Sequence, residues 1–126
     1  MRLLFAAMFA VASLAATSAL ADGKDLKEAD LKSLLEKGKT IQLGGKGMGY
    51  AGSLELTADG KGKGSAKPDG GGEIVINGTW HIKGDAFCRT WEGLDDGKEV
   101  CERWNLVAPD KVEVYNGKEM IGVNSW

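Results

Sequence analysis

Most of the residues able to do chemistry crowd into one stretch of this sequence, from Asn77 to Leu106. It holds both cysteines, the single histidine and three of the four tryptophans. Cys88 and Cys101 could form a disulfide or, as thiolates with His81, hold a metal. In an exported chain two cysteines read as one bridge, Cys88–Cys101, rather than a metal pair. Arg89 and Glu102 are the other pair of interest. If the cysteines face each other across a hairpin, Phe87 faces Glu102, Arg89 faces Val100 and Trp91 faces Lys98. Arg89 and Glu102 are then diagonal neighbours on the face that carries Phe87, Trp91 and Trp104. A guanidinium among aromatic rings needs a carboxylate partner. The pair can serve as a structural ion pair, or as the polar end of a site for an anionic or aromatic ligand. The candidate ligand-binding residues are therefore Arg89, Glu102, Trp80, Trp91 and Trp104.

The remaining chemical groups favour plainer readings. Parity places His81 with Thr79 and Lys83 on a polar strand face, and no metal site is expected. Gly44–Gly49 (GGKGMG) resembles a phosphate loop in composition, but an alternating strand follows it where a helix N-terminus would be needed. Glu92, Asp95, Asp96 and Glu99 match no calcium-loop spacing and read as an acidic hairpin tip. Lys46, Lys61, Lys63 and Lys67 form a lysine group that also guards strand edges. No G-x-S-x-G elbow occurs, and no catalytic residue or cofactor is expected.

The elements that must position these groups are short strands. Ile74–Lys83 alternates, with Ile74, Ile76, Gly78, Trp80 and Ile82 on one face. Lys83-Gly84-Asp85 turns the chain into a strand over Ala86–Trp91. Glu92–Gly97 forms a loop, and a third strand runs from about Lys98 to Val107. Upstream, Thr40–Leu43 and Met48–Thr57 read as strands, the latter with Tyr50, Leu54 and Leu56 inward. Lys61–Lys67 reads as a weak strand or loop. Downstream, Val112–Tyr115 and Met120–Trp126 flank Asn116-Gly117, a type I′ hairpin signal. Asp25–Lys37 is the one good helix. Asp25 and Glu28 have capping-box spacing, Leu26, Leu31, Leu34 and Leu35 form a stripe, and Gly38 is the stop. About eight short strands with turn punctuation predict a mainly β fold, a small antiparallel barrel or sandwich with one N-terminal helix.

The chain starts MRLLFAAMFAVASLAATSALA: a basic Arg2, an apolar run and an A-x-A site at Ala19–Ala21. This reads as a secretory signal peptide over residues 1–21, leaving one β-rich domain over 22–126 in the periplasm or outside the cell. No integral membrane span is expected after cleavage. The net charge of −2 lacks the basic footprint that nucleic acid requires.

The series Gly78-x-Trp80-x-Ile82-x-Gly84-Asp85-x-Phe87-Cys88-x-x-Trp91, followed by Cys101 and Trp104, resembles a group of small exported bacterial proteins of unknown function. In that group a short helix ending in glycine precedes G-x-W and C…C strands. The resemblance spans about Leu31 to Trp104, and Lys61–Gly72 departs from it in being richer in glycine. It implies a loosely lipocalin-like domain and brings no catalytic residues. The expectation is a non-enzymatic periplasmic β-domain that binds a small ligand, anionic or apolar, or an envelope partner. The alternative is an interaction or inhibitor protein without a cavity, using the acidic Glu92–Glu99 hairpin.

Overall fold

The computed structural model describes residues 23–126, so the expected signal peptide lies outside the described residues. Nine strands follow in order: β1 (Lys24–Asp25), β2 (Lys39–Gly45), β3 (Tyr50–Leu56), β4 (Lys61–Pro68), β5 (Ile74–Lys83), β6 (Ala86–Trp91), β7 (Val100–Ala108), β8 (Lys111–Asn116) and β9 (Glu119–Ser125). The helix α1 (Glu28–Leu35) lies between β1 and β2. Strands β2 to β9 pair antiparallel with their sequence neighbours, except that β2 closes on β9, and the result is an eight-stranded barrel. The extra strand β1 lies beside the C-terminal half of β7, pairing Lys24 with Leu106 and Asp25 with Asn105. Closure removes the free sheet edges that a meander of this kind would otherwise expose.

The hairpin register is the one the cysteine spacing predicts: Phe87 faces Glu102, Cys88 faces Cys101 and Arg89 faces Val100. The ladder stops there, because Trp91 and Lys98 are separated by the loop and β7 begins only at Val100. Cys88 and Cys101 are disulfide-bonded. Phe87, Trp91, Glu102 and Trp104 are all buried on the inner face.

Three local expectations change. The helix begins at Glu28, not Asp25. Asp25 is used as a strand residue, its carboxylate accepting from Arg103 Nη1 at 2.9 Å and Asn105 Nδ2 at 2.8 Å. The helix start is closed instead by Asp30, whose Oδ2 accepts the Lys27 N–H at 2.9 Å. Second, Lys61–Pro68 is a full strand, paired along both edges. It lacks an apolar signature because its inward positions are small. Gly62 faces the Trp91 indole so closely that a Cβ there would lie 2.8 Å from the ring. Third, the last hairpin turns at Gly117–Lys118, since Asn116 pairs with Glu119. Gly117 has positive φ and Lys118 does not, so one glycine suffices where a type I′ turn would need two such residues.

The two ends of the barrel differ. At one end α1 seats Leu31 and Leu35, both fully buried, into the same core as Leu26, Leu56, Trp80, Phe87 and Trp104. The rings pack in series, Trp80 stacked on Phe87 at 5.8 Å and Phe87 tilted against Trp104 at 4.8 Å between centroids. Trp80 Nε1 donates to the carbonyls of Thr57 (3.2 Å) and Lys61 (3.1 Å), which ties the β3–β4 turn to this layer. A backbone N–H of the helix start, Glu28, donates to Asp85 Oδ1 across to the β5–β6 turn at 2.9 Å. That end is therefore plugged. The opposite end carries the β2–β3, β4–β5, β6–β7 and β8–β9 connections and remains open.

Candidate ligand cavity at the open end of the barrel

The open end leads into a cavity of about 220 Å³. Its wall is mostly apolar: Leu43, Leu54, Ile76 and Val114 on the strands, Phe87 and Trp91 from β6, and Ile74, Leu94 and Ile121 toward the rim. Arg89, Glu102, Tyr50 and Asn124 are the polar side chains on it. An apolar pocket with a few convergent polar groups is the usual form of a small-molecule site.

Arg89 and Glu102 meet as their diagonal register requires. Arg89 Nε donates to Glu102 Oε2 at 2.8 Å; the Glu102 side chain is buried at 8% exposure and that of Arg89 is largely covered at 12%. The other carboxylate oxygen, Oε1, accepts from Trp104 Nε1 at 2.9 Å. Both Glu102 oxygens are thus occupied, as a buried charge requires. Burial pushes the Glu102 carboxyl above its ordinary range, and the Arg89 charge and the hydrogen bonds from Trp104 and Arg89 offset this only in part. Burial works against the Arg89 charge too, but the Glu102 and Asp95 carboxylates outweigh it and raise the guanidinium.

Asp95 is a partner that parity could not supply. It lies in the β6–β7 loop, where Asp95 and Asp96 both adopt positive φ, at 54° and 57°. This backbone turns the Asp95 carboxylate back onto Arg89 Nη1 at 2.5 Å, while Leu94 next to it reaches the cavity. Asp95 is half-exposed, so it is the wet end of a four-residue chain that runs inward through Arg89 and Glu102 to Trp104.

Tyr50 closes a different gap. The seam between β2 and β9 has only two paired positions, Gln42 with Ser125 and Leu43 with Asn124. Toward the mouth the Tyr50 ring fills the space between Gly44 and Gly122, and a Cβ at either glycine would collide with it. The Tyr50 hydroxyl accepts the Val123 N–H at 3.1 Å. The phenol therefore takes the place of missing ladder bonds on the wall of the cavity.

The sequence-predicted residues divide between two layers. Arg89, Glu102 and Trp91 lie on the cavity wall. Trp80 and Trp104 do not: they belong to the aromatic layer stacked above α1, with Phe87 as the boundary between the two. The acidic loop is folded back on the barrel. Asp95 pairs with Arg89, Glu99 with His81, and Glu92 accepts from Asn77 at 3.4 Å. Lys61, Lys63 and Lys67 point outward at alternate positions of β4, and Lys46 lies in the β2–β3 turn. Among the described residues no helix is long and apolar enough to cross a membrane. Comparison with protein-family models, curated proteins and solved structures finds no match to this chain.

Proposed function

We propose that this is a non-enzymatic binding protein of the bacterial envelope that holds a small, largely apolar molecule with an anionic end in the mouth cavity. One observation carries the reading: an arginine is held in a mostly apolar pocket, with a half-exposed carboxylate as one of its two partners. Glu102 fixes the guanidinium on its inner side. Asp95 occupies the outer side, where the carboxylate of an incoming ligand would compete for the same donors in the bidentate geometry that arginine favours. The volume sets the size of the guest. Cavities of about 150 Å³ lined by aliphatic and aromatic side chains admit benzene, so about 220 Å³ suits a single-ring aromatic acid or a short acyl chain.

Both oxygens of Glu102, the buried carboxylate on the cavity wall, are engaged. This supports binding rather than catalysis. The rival reading, a cavity-free inhibitor with a protruding acidic tip, has less support because three of the tip carboxylates are folded onto the barrel.

The test is calorimetric titration with benzoate, benzyl alcohol and short fatty acids. Saturable 1:1 binding of at least one acid is expected, with weaker binding of its alcohol and loss of that preference in Arg89→Met. Failure of the whole series to bind would remove the reading.

A further inference from the structure

The rarest chemical groups of the chain come together on the outer wall, away from the cavity. The β5–β6 ladder places His81, the single histidine, beside Cys88, and the β6–β7 ladder places Cys88 beside Cys101. Three adjacent strands thus present His, Cys and Cys in one row on the face opposite Phe87, Arg89 and Glu102. Glu99 precedes Cys101 by two residues and reaches back over the bridge. Its Oε2 lies 3.3 Å from His81 Nε2, and its Oε1 lies 3.7 Å from Cys101 Sγ. The donor atoms of His81, Cys88 and Glu99 all fall within 4.8 Å of one another.

We propose that reduction of the Cys88–Cys101 bridge converts this cluster into a zinc site, with the two thiolates, His81 Nε2 and the Glu99 carboxylate as ligands. Tetrahedral zinc with bonds of about 2.0–2.3 Å places its ligand atoms roughly 3.3–3.8 Å apart. Glu99 Oε2 already has that spacing from His81 Nε2, and Glu99 Oε1 from Cys101 Sγ, so a turn of the carboxylate is all that one ligating oxygen needs to serve both. The ligands sit on or directly beside three laddered strands, so little rearrangement is needed beyond parting the sulfurs. Nitrogen, carboxylate and two thiolates are an ordinary zinc donor set.

The chemistry balances with a dithiol reductant. One reductant thiolate attacks Sγ of the exposed Cys101 and releases Cys88 as a thiolate. The second displaces Cys101 and leaves the reductant as a cyclic disulfide, two electrons having passed to the protein sulfurs. Zinc then binds as the two thiols give up their protons to solvent. Disulfide and metal are therefore alternative occupants of one place on the wall.

The experiment uses the full mature chain, reduced anaerobically with a phosphine so that no competing thiol remains. Zinc is titrated against a chromophoric chelator and counted by native mass spectrometry, and cobalt is used as a spectroscopic substitute. The expected result is one zinc per reduced chain, with a Kd below roughly 1 μM, and none per oxidised chain. Cobalt should show tetrahedral d–d bands with a thiolate charge-transfer band. His81→Ala and Glu99→Gln should each weaken binding about tenfold or more, and Cys88→Ser with Cys101→Ser should abolish it. Four results would overturn the proposal: no stoichiometric zinc on reduced protein, equal zinc on oxidised protein, affinity unchanged in His81→Ala, or loss of the barrel's far-UV signal on reduction alone.

Discussion

Replacing Glu102 by glutamine tests the polar chain that runs into the barrel. Glutamine preserves the shape and keeps an oxygen able to accept from Trp104 Nε1, whose present distance to Glu102 is 2.9 Å. It removes the negative charge from an arginine only 12% exposed. Breaking a buried ion pair from one side costs about 3–5 kcal/mol, because the other charge is left uncompensated. Here Arg89 retains Asp95, a half-exposed partner, so the loss should lie near about 3 kcal/mol, the lower end of that range. Adding Arg89→Met to Glu102→Gln takes away the stranded charge and keeps the acceptor for Trp104. The double variant should return to within about 1 kcal/mol of the native protein. The assay is urea denaturation followed by circular dichroism and tryptophan fluorescence together, with stability taken by linear extrapolation. A loss below about 1 kcal/mol for Glu102→Gln would mean that the pair behaves as a solvated surface bridge. A double variant no better than the single one would show that the damage lies in packing.

Other perturbations probe the helix, the β4 strand and the Asp25 cluster. Leu31→Ala empties a fully buried position beneath the aromatic layer and should cost about 2–5 kcal/mol, whereas Lys32→Ala on the exposed side should cost well under about 1 kcal/mol; matched melting shifts would contradict docking of the helix. Gly62→Ala drives a methyl into Trp91 and should cost about 1–3 kcal/mol with a change in tryptophan emission; an unchanged spectrum would place Trp91 elsewhere. The Asp25 carboxyl is held below its ordinary value of 3.8, chiefly by the Asn105 side chain; burial opposes this as the next influence, and the hydrogen bond and charge of Arg103 lower it further. A depressed acid contributes its stability above the unfolded value and loses it as pH falls toward the folded one. Melting temperatures below about pH 4 should thus fall more steeply for the native protein than for Asp25→Asn, and parallel curves would count against the Asp25–Asn105–Arg103 cluster.

The hairpin register is legible in the sequence because two constraints meet. The cysteine spacing sets which residues face each other, and strand parity sets which side they take. Together they bring Arg89 to Glu102 from the amino-acid order alone. Parity says nothing about height along the barrel axis. Trp80, Trp91 and Trp104 share a face, yet only Trp91 lines the cavity, because α1 docks at the other end and takes Trp80 and Trp104 into its core. Asp95 is illegible for another reason: a loop carboxylate has no period, and its direction depends on two consecutive positive φ values. The β4 strand hides behind its own role, since a strand that must accept the Trp91 ring at Gly62 cannot carry the large apolar residues that announce a strand. Asp25 shows a capping signature, but its carboxylate is taken by Arg103 and Asn105 across the sheet, and tertiary partners outweigh the local motif.

The most direct test of a ligand site at the barrel mouth is chemical-shift mapping on isotope-labelled protein during titration with benzoate and, in parallel, benzyl alcohol. Saturable shifts are expected for Arg89 Nε–H and for the backbone of Tyr50, Ile74, Leu94 and Ile121 around the mouth, larger with the acid. The plugged end, at Leu31, Leu35 and Trp80, should hardly respond. Shifts scattered over the outer wall, or none at Arg89 with either compound, would contradict a ligand site at the mouth of the barrel.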